Sequence, residues 1–134
     1  MIPSGSSSFD IEFTVEQQSS YTFYLDIDKN IISGYTDRLE AMKQAIYLIL
    51  NTERYRYIIF SWNYGIELDN LFGMPVSFVL PEIERRIFEA LIYDDRITDI
   101  DNFEFELPKK GVVYVKFTVH TVYGDLPIER TVNF

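Results

Sequence analysis

The chain of 134 residues contains no cysteine. That excludes disulfides, thiol nucleophiles and cysteine-based zinc sites, and it suits folding in the cytosol. Histidine is nearly absent, with His120 standing alone. A lone imidazole is a poor metal ligand or triad member, so His120 reads as a structural or solvent-facing residue on the polar face of a strand. Basic residues are few: 12 Lys and Arg against 21 Asp and Glu give a formal charge of −9. Such a surface repels phosphate backbones and anionic headgroups, which argues against nucleic-acid and membrane partners. It admits a basic protein partner, and it is equally a route to solubility. Long apolar runs are missing too. The stretch from Ala45 to Leu50 is far too short to span a bilayer, and MIPSGSSSFD has neither the cationic nor the apolar region of a signal peptide. No P-loop, GxGxxG, GxSxG or HExxH occurs, and no cofactor is expected.

Apolar and aromatic surface is abundant. Hydrophobic residues make up 47% and aromatics 16%, with 10 Tyr, 11 Phe and a single Trp. A chain of this length supports one domain with one sizeable core. Tyr buries apolar area while keeping a polar tip, a combination that serves a core rim and an interface alike.

Residues 1–8, rich in Ser with Pro3 and Gly5, read as a flexible tail. Phe9, Ile11, Phe13 and Val15 alternate with polar residues, which reads as a peripheral strand or an arm that orders on contact, and residues 1–20 together as a flexible tail or arm. A single α+β domain is expected over 21–134. Tyr21, Phe23, Leu25 and Ile27 form a strand pattern closed by the turn residues Asp28-Lys29-Asn30. Leu39, Met42, Ile46 and Ile49 make one apolar stripe of a helix over 37–51, capped by Thr36 or Asp37. Tyr55 to Ser61 has the composition of a short strand. Ile66 to Phe72 reads as one or two helical turns closed by Gly73. Pro75 and Pro81 bracket the start of a second long helix, with Ile83, Ile87, Ala90 and Leu91 inside and Glu82-Arg86 and Arg85-Glu89 paired outside. Beyond it, Phe103 to Leu107, Val113 to Val119 and Ile128 to Phe134 alternate as three strands with short turns, an antiparallel meander covered on one face by the helices.

Acids are numerous enough that some pair always lies close, so Glu53, Glu67 and Asp69, or Asp94 and Asp95, are a weak signal for a glycosidase-like pair. Asp94, Asp95, Asp99 and Asp101 cluster between helix and strand. They lack the glycine and terminal Glu of a calcium loop, and Arg96 supplies positive charge among them. More specific are two junctions. Glu53-Arg54 follows the first helix and Asp94-Asp95-Arg96 the second, each placing an acid beside an arginine where helix passes to strand. Such a pair either locks the junction or offers donors to a partner chain. The last strand, with Val132 and Phe134, offers an edge that either pairs within the sheet or accepts a neighbour's strand.

The order of these segments resembles the baseplate wedge proteins of contractile phage tails. It comprises Glu40-Ala41-Met42-Lys43-Gln44-Ala45, Asn51-Thr52-Glu53-Arg54-Tyr55, Asn63-Tyr64-Gly65, Leu71-Phe72-Gly73 and Asp94-Asp95-Arg96-Ile97 over roughly 21–133. That family includes the sheath initiator, long labelled a lysozyme, and the likeness is to its Gram-positive prophage subgroup. The wider family carries Glu-Pro-Arg after its second helix; Asp94-Asp95-Arg96 stands there in this chain, with a shorter acid and no proline.

The resemblance implies a structural protein of the baseplate, not an enzyme, made in the bacterial host cytoplasm and carried in the virion or tail-like particle. It implies six copies that join the wedge scaffold to the hub or tube, with the first sheath ring templated by strand addition to a sheet edge. Arg96 and Asp94 would face the scaffold. Glu53 and Arg54 match the other motif. A free-standing acidic binding or immunity-type module, or a peptidoglycan hydrolase, are the alternatives.

Overall fold

A computed structural model describes residues 19–134, so the arm expected at Phe9 to Val15 lies outside the described residues. The chain is α+β. It runs β1 (Thr22–Asp26), β2 (Ile31–Thr36), α1 (Arg38–Leu50), a 3-10 turn (Asp69–Leu71), α2 (Val76–Ile92), β3 (Ile97–Lys109), β4 (Val112–Thr121) and β5 (Gly124–Asn133). The last three strands form the expected antiparallel meander in the order β3-β4-β5. β1 and β2 pair as a separate two-stranded ribbon.

Both helices form because their apolar residues recur at three- and four-residue steps. α1 buries Met42, Ile46 and Ile49, and α2 buries Val79, Ile83, Ile87, Ala90 and Leu91. These meet Val113, Val115, Phe117 and Val119 of β4 in one core. Withdrawing each Ile or Val from water contributes about 1.5–3 kcal/mol. Asp37 caps α1: its carboxylate accepts from Arg38 N at 2.7 Å, and the buried Ser20 hydroxyl donates to it. That contact pulls the Asp37 carboxyl below its ordinary range. Ser20, read from the sequence as the end of the arm, is therefore tied to the start of α1. α2 begins right after Pro75, within the span the two prolines bracket, and Pro81 sits inside it. So near the N-terminus its missing N–H leaves only the Ser77 carbonyl unserved.

Two expectations are corrected, and one strand is added. Tyr55 to Ser61 is not a strand but a run of turns. Its aromatic and β-branched composition fits a strand, yet Tyr55 has φ 68° and no strand lies alongside to pair with it. β2 was not expected, because Ser33 and Gly34 interrupt its apolar pattern. Gly34 has φ 66°, at the irregularity between the Phe23–Tyr35 and Leu25–Ile32 pairs. Asp99 and Asp101 lie on β3, not between helix and strand, since β3 begins at Ile97 and takes three bulges before Lys109.

The sheet has two edges of different quality. β3 is broken by those bulges and carries Pro108. β5 pairs with β4 without interruption from Val112–Asn133 to Thr121–Gly124. The Phe134 N–H donates to Gly111 O at 2.9 Å, which fixes the alternation: even-numbered residues of β5 turn their backbone groups towards β4 and odd-numbered ones turn them outward.

Candidate functional site: two junctions, a shared cleft and a strand edge

At the end of α1 the Asn51 and Thr52 side chains donate to the Tyr47 and Leu48 carbonyls, each at 2.7 Å. The chain leaves on an extended course and returns beside itself. Arg54 N donates to Ile66 O at 3.1 Å and Ile66 N to Thr52 O at 3.0 Å. The Glu53 carboxylate accepts from Leu68 N at 3.1 Å and Asp69 N at 3.3 Å, capping the 3-10 turn. The Arg54 guanidinium donates twice to Gly65 O, both at 3.2 Å. Gly65 is required there: its φ is 95°, and a Cβ would lie 2.5 Å from Thr52 O. Glu53 and Arg54 thus form a neck that closes a loop, with both charged groups turned to their own chain.

At the end of α2, Arg96 grips Asp94 with its planar fork, Nε to Oδ1 at 2.9 Å and Nη2 to Oδ2 at 2.7 Å, and its own N–H adds a third bond at 3.0 Å. The two side chains are only 12% and 16% exposed. Burial opposes charge on Asp94, but the hydrogen bonds and charge of Arg96 hold its carboxyl below the usual range. The same pairing raises Arg96, against its burial. Asp95 points outward and makes no ion pair among the described residues. At this junction Arg96 is consumed internally and the exposed acid is Asp95.

The neck's Gly65 and the second junction line one cleft, whereas Glu53 and Arg54 do not line it. The cleft, of about 560 Å³, is lined by Leu48, Ala90, Tyr64, Gly65, Asp94, Asp95 and Arg96 among others. Asn63 Nδ2 donates to Tyr93 Oη across it at 2.8 Å. The loop above the neck was not a candidate from sequence. Ile58 is wholly exposed, Ile59 86% and Trp62 79%, with Tyr55, Tyr57 and Phe60 beside them. A contiguous apolar patch of this kind marks a contact surface.

The four acids read together from sequence go separate ways. Asp94 binds Arg96, Asp99 accepts from Ile100 N at 2.8 Å, and Asp101 meets His120. His120 bridges three strands, with Nε2 2.8 Å from Asp101 Oδ1 on β3 and Nδ1 2.7 Å from Asp125 Oδ1 on β5. Both contacts are donated only by the imidazolium, so Asp125, then Asp101, raises its pKa.

At the β5 edge the two residues named from sequence face inward. Val132 is 3% exposed and packs in the core; Phe134 is half-buried against it. The outward row consists of Asp125, Pro127, Glu129, Thr131 and Asn133, of which Pro127 has no N–H. A proline at such a position belongs on an edge strand. Arg130, a charged residue on the inward-facing side of β5, was also passed over. It donates to Asn51 Oδ1 at 2.6 Å, and its Nε is buried without a partner among the described residues.

Comparison with known proteins accords with this architecture. Residues 12–124 match the family model described as the contractile injection system sheath initiator. The match ends where β5 begins. The chain is 39% identical over 130 residues to the phage-like element PBSX protein XkdS of Bacillus subtilis (strain 168), covering 92% of this chain and 91% of that protein. The chain belongs to the contractile injection system sheath initiator family, whose members are structural components of phage-type tails.

Proposed function

We propose that this protein sits in six copies at the baseplate, joins the wedge scaffold to the hub or tube, and templates the first sheath ring by accepting a sheath strand along β5. The observation that carries this reading is the asymmetry of the sheet edges. β5 is straight, regularly registered and unpaired on its outer side among the described residues, whereas β3 is bulged in three places. A bulged edge resists strand addition and a regular one favours it. A second surface is assigned to the scaffold. There the cleft presents Asp95 and Tyr93, and Ser61 in its lining joins it to the apolar loop of Ile58 and Ile59, while Glu53, Arg54, Asp94 and Arg96 hold that surface in shape. Six modest contacts of this kind add up by multivalency to a tight ring.

The test is Thr131→Pro, which removes one outward donor from β5 while keeping the inward row. Retained circular dichroism and thermal stability, with sheath-protein binding weakened about tenfold or more for the lost backbone bond and altered edge, is the expected result. Particles with normal sheaths assembled from this variant would overturn the reading.

A further inference from the structure

We propose that the cleft between α1 and β5 is a receptor for a carboxylate carried by the incoming strand, with Arg130 as its principal donor and Lys43 as its second. This rests on the strand-addition reading and adds the chemistry of the strand.

The cleft measures about 550 Å³ and lies directly beside the outward row of β5, between Lys43, Tyr47 and Asn51 on the helix and Ile128 and Arg130 on the strand. Arg130 projects from the inward-facing side of β5, among Leu126, Ile128 and Val132. It is half-buried, yet it makes no ion pair among the described residues. Among the described residues its side chain makes one hydrogen bond, to a neutral amide, Asn51 Oδ1 at 2.6 Å, and its buried Nε has no acceptor. Burial pulls its pKa below the ordinary guanidinium range. A desolvated guanidinium with an open donor is costly unless an anion meets it, and a guanidinium fork fits a carboxylate in shape.

The acids near Arg130 are engaged elsewhere. Glu53 caps the 3-10 turn, Asp69 pairs with Arg56, and Glu129 takes the Tyr114 hydroxyl on the opposite face of the sheet. Lys43, exposed on α1, likewise makes no ion pair among the described residues. In a chain of net charge −9, two uncommitted cations flank one cleft, at the edge where a strand would lie. The complementary ligand is an extended segment whose inward-facing Asp or Glu reaches Arg130 as its backbone pairs with β5.

The probes are fluorescent ten-residue peptides tiling the sheath protein of the same particle, alongside a matched set with Asn and Gln replacing Asp and Glu. They are titrated by anisotropy against the full-length wild type and the variants Arg130→Gln, Lys43→Gln and Thr131→Pro. The expected result is an acidic peptide that binds wild type at least about tenfold more tightly than its neutral twin. Arg130→Gln would remove that preference, Lys43→Gln would reduce it, and Thr131→Pro would weaken both peptides. Lys43 is a surface position, so its variant keeps the test open should Arg130→Gln fail to fold. Peptides that bind at β5, lose affinity in Thr131→Pro and yet ignore both charge sets would overturn the carboxylate site and leave the strand-addition reading standing. Absence of any binding sensitive to Thr131→Pro would overturn both.

Discussion

Asp94 illustrates how a charged residue at a junction serves structure first. Its carboxylate takes three donors from Arg96 in a largely buried setting. Asp94→Asn leaves the guanidinium without its counter-charge, and the expected loss is about 2 kcal/mol of unfolding free energy, read by urea titration. Because the folded-state pKa is lowered, the stability Asp94 contributes is present above the unfolded value of about 4 and is lost as pH falls through the folded value. His120 has the opposite sign. Its folded pKa is raised, so its contribution is complete below about pH 6.5 and is lost as pH rises through the folded value. Thermal melts from pH 6 to 9 should show the wild type losing stability relative to His120→Gln as pH increases; parallel curves would refute the bridge. The sequence placed His120 on a strand's polar face, and that is where it lies. Its two Asp partners were illegible because they depend on the register of β3 and β5 against β4.

Among the elements, the loop from Tyr55 to Trp62 departs most from expectation. It is closed by backbone bonds at its neck and shows its apolar side chains to solvent. Since Ile58 and Ile59 touch little of their own chain, the double change Ile58→Asp, Ile59→Asp should shift unfolding by no more than about 0.5 kcal/mol. It should nevertheless abolish co-purification with the wedge scaffold protein. A large stability loss, or unchanged co-purification, would count against the contact role. What could be read from sequence follows from periodicity. α1 and α2 carry long stripes with a 3.6-residue repeat, β4 alternates cleanly and β5 does so apart from Arg130, so their existence and inner faces were legible. β2 and the first half of β3 were not, because Gly34 and Asn102 adopt positive φ at irregularities that break the alternation. The two junctions were legible as acid–arginine pairs. That Gly65, gripped by Arg54, shares a cleft with the second pair was not, since it depends on how α1 packs beside α2.

At the scale of the molecule, the parts differ in how firmly they are held. The β3-β4-β5 sheet and α2 share the core, whereas the β1-β2 ribbon forms its own sheet with Phe23, Ile32 and Tyr35 exposed. A two-stranded ribbon is marginal by itself. This one is clipped to α1 by Gln44, which accepts from Leu25 N at 2.9 Å and donates to Phe23 O at 2.8 Å. Hydrogen exchange should therefore find β4 amides protected to the global limit and ribbon amides exchanging by local opening, orders of magnitude faster. Uniform protection across both sheets would contradict this division. The rigid sheet is also the one with the regular edge, and Pro127 gives that edge a landmark. A backbone laid along β5 would meet a row of donors with one gap, and every alignment that spans Pro127 forgoes the same bond, since each residue of a strand carries a carbonyl and proline has no hydrogen to give. A strand that stops beside Glu129 loses nothing, whereas one carried past Pro127 leaves a carbonyl bare. One missing proton donor would thus act as a stop, bounding the length of edge that a neighbour can share.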